Sequence, residues 1–345
     1  MVDIKKAFDI EGQRVDLITI TNNNNMEVKL LSYGGAIVEL LVPDRENVAE
    51  NIILAYQNLE DYIQNPTYFG VIVGRTSGRI EDGQFNLEGT PYKLNKNFGV
   101  NHCHGGETGF SHQIWSYNII EADRGTSVEF KYNSPDGEEN YPGNLNVKVT
   151  YTLGQNNTFT IEYKAKTDKV TLCNLTNHSH FNLSGNYKRR VTDQYMRIAS
   201  SSFLELNNNL IPTGKLFDVK NTPMDFKQRK QIGRDIKADY GQLKIANGYD
   251  HPWLLEGKTN QIEMYDSESG RKMNITTTYP AAVIYSFNYP NNESMLYGKI
   301  AEKHDGICFE TQYEPDGINS ECFSKAILQP DREYYEKTEF VFSIE

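Results

Sequence analysis

The sequence predicts an all-β protein, a large antiparallel β-sandwich formed as one domain over residues 1–345. Three observations predict it. Aromatic residues make up 12% of the chain, with 22 Tyr and 16 Phe, and such side chains suit half-buried pleated surfaces. Short runs of alternating apolar and polar residues recur from end to end, separated by turn-forming clusters. Helical period, by contrast, is confined to 59–65 and 230–239. No spacing repeats, and no Pro/Ser-rich linker divides the chain. All-β folds often run this long as one unit, and a core of this size needs neither metal nor disulfide.

Taken in order, 15–21 and 26–31 read as strands joined by Asn22-Asn23-Asn24-Asn25, because Asn tolerates the left-handed turn geometry. Tyr33-Gly34-Gly35 opens an apolar strand over 36–42, stopped by Pro43-Asp44. A buried strand is expected over 69–73, followed by Gly74-Arg75-Thr76-Ser77-Gly78-Arg79-Ile80, a glycine-flanked loop presenting two arginines. Residues 85–94 alternate like a hairpin with Gly89-Thr90 near its tip. Strands continue over 128–132, 146–153 and 158–165, with turns at Ser134-Pro135-Asp136-Gly137 and Tyr141-Pro142-Gly143. The run 170–175 reads as a strand leading into Thr176-Asn177-His178-Ser179-His180-Phe181-Asn182. Further strands are expected over 194–199, 261–265, 272–277, 281–287 and 340–344.

A formal charge of −11 and a pI near 5.2 argue against nucleic acid or an anionic membrane as partner, and favour a neutral polar ligand. The basic stretches Lys188-Arg189-Arg190 and 227–237 read as solvated surface. Cys103, Cys173, Cys308 and Cys322 have no CxxC spacing, so neither a zinc knuckle nor a redox pair is indicated. The first thirteen residues lack a signal-peptide core, and no run approaches membrane-spanning length. Sequons at Asn174 and Asn177 would place glycans beside the histidines in a secretory cell. The expectation is a cytoplasmic protein.

Four of the seven histidines fall in two His-x-His pairs, His102/His104 and His178/His180. On a strand, alternate side chains share a face, so His178 and His180 look one way while Asn177 and Ser179 look the other. An isolated pair is ordinarily structural; two pairs suggest either a metal or proton transfer. With Glu107 close behind, His102 and His104 invite a cupin-like metal reading. Glu310, in the apolar run Ile307-Cys308-Phe309, tilts the balance towards proton transfer, since burial raises a carboxyl pKa and sharpens its use as a base. Asp250 is a turn aspartate by default. Flanked by Tyr249 and Trp253, it also fits hydroxyl recognition beside stacking faces, with Arg79 as a donor to the same hydroxyls.

At this point the chain resembles the aldose 1-epimerase (galactose mutarotase) family nearly end to end. Asn101-His102-Cys103-His104-Gly105-Gly106 is similar to the family's Asn-His-x-His-Gly-Gly motif, with Gly109-Phe110 and Trp115 downstream. The 74–80 loop, Tyr141-Pro142-Gly143-Asn144-Leu145, Thr222-Pro223-Met224-Asp225-Phe226, Gly248-Tyr249-Asp250-His251 and Phe309-Glu310-Thr311-Gln312 with Pro315-Asp316 resemble further landmarks. Their order and number make the resemblance specific. It implies a galactose mutarotase-like supersandwich that interconverts α and β anomers of free hexoses such as galactose and glucose, without cofactor or metal. It implies Glu310 as general base and His178 as general acid, with Arg79, His104 and Asp250 on the sugar hydroxyls and Tyr285 against the sugar face. His180 stands where tyrosine is usual, Gly78 where some members carry asparagine, and Ile284 where some carry glutamine; these departures bear on sugar preference. His102 is expected in a supporting place.

The reaction explains the residue types. Opening a cyclic hemiacetal takes a proton from the anomeric hydroxyl and gives one to the ring oxygen; rotation about C1–C2 and reclosure complete the exchange. A base and an acid on opposite sides avoid charged intermediates, each contributing roughly 10²–10⁴-fold. The Glu310 carboxylate is expected to raise the pKa of His178 and keep it available as an imidazolium. The rival readings are a glycoside hydrolase using Glu310 and Asp250, the cupin-like metalloenzyme, a carbohydrate-binding module, and a sugar-phosphate epimerase for which only Arg75 and Arg79 offer themselves. A monomer and a homodimer fit equally.

Overall fold

Buried and exposed positions alternate along Leu145–Gly154, where Leu145, Val147, Val149, Tyr151 and Leu153 turn inward and Asn146 and Lys148 face water. The same period runs through its neighbours, so each strand offers one apolar face, and the faces merge into a sheet. The computed structural model describes residues 1–345. Its largest sheet has nine antiparallel strands, in the order Ser116–Ala122, Gly125–Ser134, Leu145–Gly154, Thr158–Thr167, Tyr334–Ile344, Arg271–Thr277, Ile262–Tyr265, Tyr195–Ile198 and Lys230–Gln231. The C-terminal strand therefore lies at its centre.

A second, six-stranded antiparallel sheet runs His180–Phe181, Ile307–Gln312, Ala281–Tyr285, Asp250–Leu254, Ser202–Leu206 and Pro212–Asp218. A five-stranded meander from Val2–Ile10 to Ala49–Asn51 completes the main sheets. The two larger sheets meet through aromatic contacts: Phe181 lies 6.0 Å from Phe309 and 5.3 Å from Phe340. Burying such rings, with the aliphatic side chains around them, drives the sheets to stack. No helix is long and apolar enough to cross a membrane.

Every residue of Ile307–Gln312 is buried, because both faces of this strand are covered. Ile307 and Phe309 face the sandwich core, while Cys308 and Glu310 face away from it. In register across the sheet, Glu310 lies opposite Val283, Cys308 lies between Tyr285 and His180, and Tyr285 lies opposite Asp250. One non-core face thus gathers residues from four distant parts of the sequence.

The 59–65 run forms its helical turn as a 3₁₀ turn, Leu59–Ile63. Local expectations fail in three other places. The 230–239 run is not an α-helix. It supplies the edge strand Lys230–Gln231 and a 3₁₀ turn, because Lys230 Nζ is tied to Pro223 O and Asp235; the α-helix, Gly241–Ala246, comes just after. The 69–73 strand shrinks to Ile72–Val73, since Gly70 has φ +69° and a Cβ there would meet Ile37 O at 2.1 Å. The run through 170–181 breaks into Thr171–Leu172, Thr176–Asn177 and His180–Phe181, each with a different partner strand. Asparagines break it: Asn174 Nδ2 donates to Tyr313 O, Asn177 Nδ2 to Gly70 O, and Ser179 N to Asn177 Oδ1.

Candidate active site

The outer face of the six-stranded sheet floors a cavity of ≈ 630 Å³. Arg79, His104, His178, Asp250, Tyr285 and Glu310 all line it. The period of two brings Glu310, Asp250 and Tyr285 there from three paired strands. Thr176–Asn177 and His180–Phe181 flank His178, whose backbone N donates to Val71 O. Asn177 turns the opposite way, donating to Gly70 O and Tyr151 Oη.

His178 Nε2 lies 3.5 Å from Glu310 Oε1, with no hydrogen bond closing the gap. The two are side by side, so no sugar ring fits between them; the expectation of a base and an acid on opposite sides is corrected. The expected direction of the His178 pKa shift is also reversed. Burial pulls its pKa down to about 4, with the Arg79 cation adding to the effect. Burial pushes Glu310 up to about 8; Asp250 adds to this, and Arg79 opposes it. A protonated Glu310 projects no negative field onto His178, which removes the basis of the expectation.

His104 arrives from a loop that only glycine permits. Gly105 has φ +87°, and a Cβ there would meet Gly74 O at 1.7 Å. Gly78 N donates to His104 Nδ1 at 3.4 Å, which leaves the proton on Nε2, and burial holds the ring neutral with a pKa well below the usual range. Its ring lies 5.1 Å from that of His178. Arg79 sits on the short strand Arg79–Ile80 paired with His102–Cys103, reaches Asp250 Oδ2 at 3.4 Å, and covers the Phe98 ring at 4.9 Å. Its Nε is buried without a partner. Asp250 is raised by burial, against the pull of Arg79. Tyr285 Oη accepts from Tyr289 N at 3.3 Å.

Other candidates point elsewhere. His102 is fully buried outside the cavity, with Nδ1 2.7 Å from Asn95 O and Nε2 2.8 Å from Tyr141 Oη. The metal set His102, His104 and Glu107 is therefore not assembled. A different group is: His104, His178 and Glu310 place ligand atoms within 4.8 Å of one another. Arg75, expected in a presenting loop, is 1% exposed and makes five hydrogen bonds, to Ser134 Oγ and O, Pro135 O, Pro142 O and Thr171 Oγ1. It ties Ser134-Pro135, Pro142 and Thr171 together, and Arg79 is left as the arginine in the cavity. Ile284 belongs to the sandwich core, so its departure from the family pattern does not touch the cavity; Gly78 does line it. Tyr68, with its ring 4.9 Å from His104 and 5.9 Å from His178, went unforeseen, as did Phe98 and Tyr289. Its one local signal is the aromatic pair Tyr68-Phe69 before Gly70.

Fold and cavity together define a β-sandwich of the galactose mutarotase type. The chain matches the crystal structure of a galactose 1-epimerase from Lactobacillus acidophilus NCFM with a TM-score of 0.91 and 28% identity, covering 100% of this chain and 99% of that one. In sequence it is 36% identical over 328 residues to a galactose mutarotase of Bos taurus, covering 93% of this chain and 92% of the relative. It is 30% identical over 355 aligned positions to an aldose 1-epimerase of Escherichia coli K12, covering 100% of both. The aldose 1-epimerase family profile matches residues 16–341. The chain belongs to the aldose 1-epimerase family and is, with it, an isomerase.

Proposed function

We propose that this chain interconverts the α and β anomers of free aldohexoses, galactose and glucose among them, with Glu310 as base and His178 as acid. The observation that carries this reading is their 3.5 Å juxtaposition in a cavity also lined by Arg79, His104, Asp250 and Tyr285. The anomeric hydroxyl and the ring oxygen share one carbon, so the groups that address them have to be near neighbours. Glu310 takes the hydroxyl proton as His178 delivers one to the ring oxygen; the open aldehyde turns about C1–C2, and the steps reverse with the roles exchanged. Arg79, Asp250 and His104 Nε2–H hold the remaining hydroxyls, and Tyr285 packs against the ring.

Between pH 4 and 8 the pair holds one proton, which burial places on Glu310. Catalysis needs that same proton on His178. A sugar hydroxyl donating to Glu310 favours the carboxylate, and a ring oxygen accepting from His178 favours the imidazolium. Substrate hydrogen bonds thus draw the proton across the gap with no net uptake from solvent. The same reading treats residues 1–345 as one catalytic unit, supported by a core cluster that joins Ile18 to Phe342. It places the activity in the cytoplasm, supported by four unpaired cysteines.

Polarimetry of freshly dissolved α-D-galactose and α-D-glucose tests the reading. Relaxation faster than in protein-free buffer is expected for at least one of them; equal rates for both would overturn it.

A further inference from the structure

His180 has no part in the chemistry above, and its surroundings are unusual for a buried polar ring. It is 0% exposed, and neither Nδ1 nor Nε2 has a hydrogen-bond partner. Phe69 and Phe287 meet it edge-on, with ring centroids 5.2 and 5.1 Å away, which makes its box apolar. An unmet buried donor or acceptor is costly, and a bound ion is one of the reasons for which such a group is tolerated. Cys308, also fully buried, lies directly opposite His180 across the strand pair. The His178 ring is 5.0 Å from that of His180, and its Nδ1 is likewise buried without a partner. One ring nitrogen from each histidine and Cys308 Sγ lie within 4.8 Å of one another.

Two imidazoles and a thiol are ligands of the zinc class. Bonds of about 2.0–2.3 Å set tetrahedral ligand atoms roughly 3.3–3.8 Å apart, so the group closes on an ion by about an ångström of side-chain rotation. We propose that His178, His180 and Cys308 form a site for a zinc-class divalent cation, reached through the sugar cavity, whose occupation switches catalysis off. Each histidine gives a lone pair. The Cys308 S–H bond breaks as the S–metal bond forms, its proton leaves to solvent, and no electrons are transferred. An imidazole held by a cation at one nitrogen cannot take up the second proton that makes it an imidazolium. The inhibitory half of the proposal rests on the acid role of His178; the site itself does not.

Cobalt tests both halves on the full chain after chelator treatment and desalting. One Co²⁺ per chain is expected, with a near-ultraviolet thiolate-to-cobalt charge-transfer band and loss of mutarotation that EDTA restores. Cys308→Ala should lose the band and the cobalt sensitivity while keeping metal-free turnover. His180→Phe, which fills the apolar box, should weaken the band and guards against a packing artefact of the first variant. Absence of the band in the wild-type protein would overturn the site, as would its persistence in Cys308→Ala. A band without loss of turnover would overturn the switch. Inhibition that is unchanged in both variants would assign the ion to His104, His178 and Glu310 instead. Polarimetry of metal-free His178→Asn judges the acid role separately from either result.

Discussion

Replacing Glu310 by Gln should make the protein more stable at alkaline pH while nearly abolishing its activity. The folded state raises this carboxyl from 4.5 to about 8 through burial, then Asp250, against Arg79. Such a group contributes stability that is whole below pH 4.5, declines as pH rises, and is gone above about 8. At about 1.4 kcal/mol per pH unit, the loss is on the order of 3 kcal/mol at pH 7 and 5 kcal/mol above pH 8. Gln keeps the shape and stays neutral, so the variant escapes that loss. Urea unfolding of both proteins at pH 5 and pH 8 measures it, since other titrating groups cancel in the difference. The gap between them should open in the variant's favour by several kcal/mol towards pH 8. Turnover by polarimetry should fall roughly 10²–10⁴-fold. Parallel pH profiles would mean that Glu310 ionises when folded as it does when unfolded, and the proton placement proposed for the pair would be wrong.

The rate of mutarotation should follow a bell in pH with apparent limits near 4 and 8, values that belong to the pair. Below the lower limit both groups are protonated and no base remains; above the upper limit neither is, and no acid remains. Asp250→Asn, which removes the partner of Arg79 at 3.4 Å, should lower kcat/KM about 10–100-fold in steady-state polarimetry. Arg75→Met should cost about 3 kcal/mol or more in urea unfolding, because five acceptors, four of them in buried bonds, lose their donor, with KM little changed. Gly105→Ala should displace His104, given the 1.7 Å approach to Gly74 O, and reduce turnover with a lower melting temperature.

That Arg79, His104, His178, Asp250, Tyr285 and Glu310 share one cavity was legible because strands carry their own address. The period of two in 307–312 separates Phe309 from Glu310, and short motifs around His104, His178 and Asp250 supply the partners. What the sequence concealed depends on neighbours far along the chain. Arg75 and Arg79 look alike in their loop, yet carbonyls at Ser134, Pro135 and Pro142 claim the first. His102 and His104 sit two residues apart, but Tyr141 and Asn95 draw the first away from the cavity. Proton positions were least legible, because desolvation sums over every sheet that covers Glu310 and His178. The helical run at 230–239 misled because an edge strand and a lysine clamp outweigh local propensity.

The row formed by Asp250, Tyr285, Cys308 and His180 has a consequence for how such a protein diverges. Adding or deleting one residue within these strands would rotate Phe309 into the sugar chamber and Glu310 into oil, so their lengths are frozen. Novelty has to come from the rim, where Phe98 and Tyr289 stand about half exposed on loops free to change length. A lineage in search of a new sugar would edit that rim and inherit the floor intact.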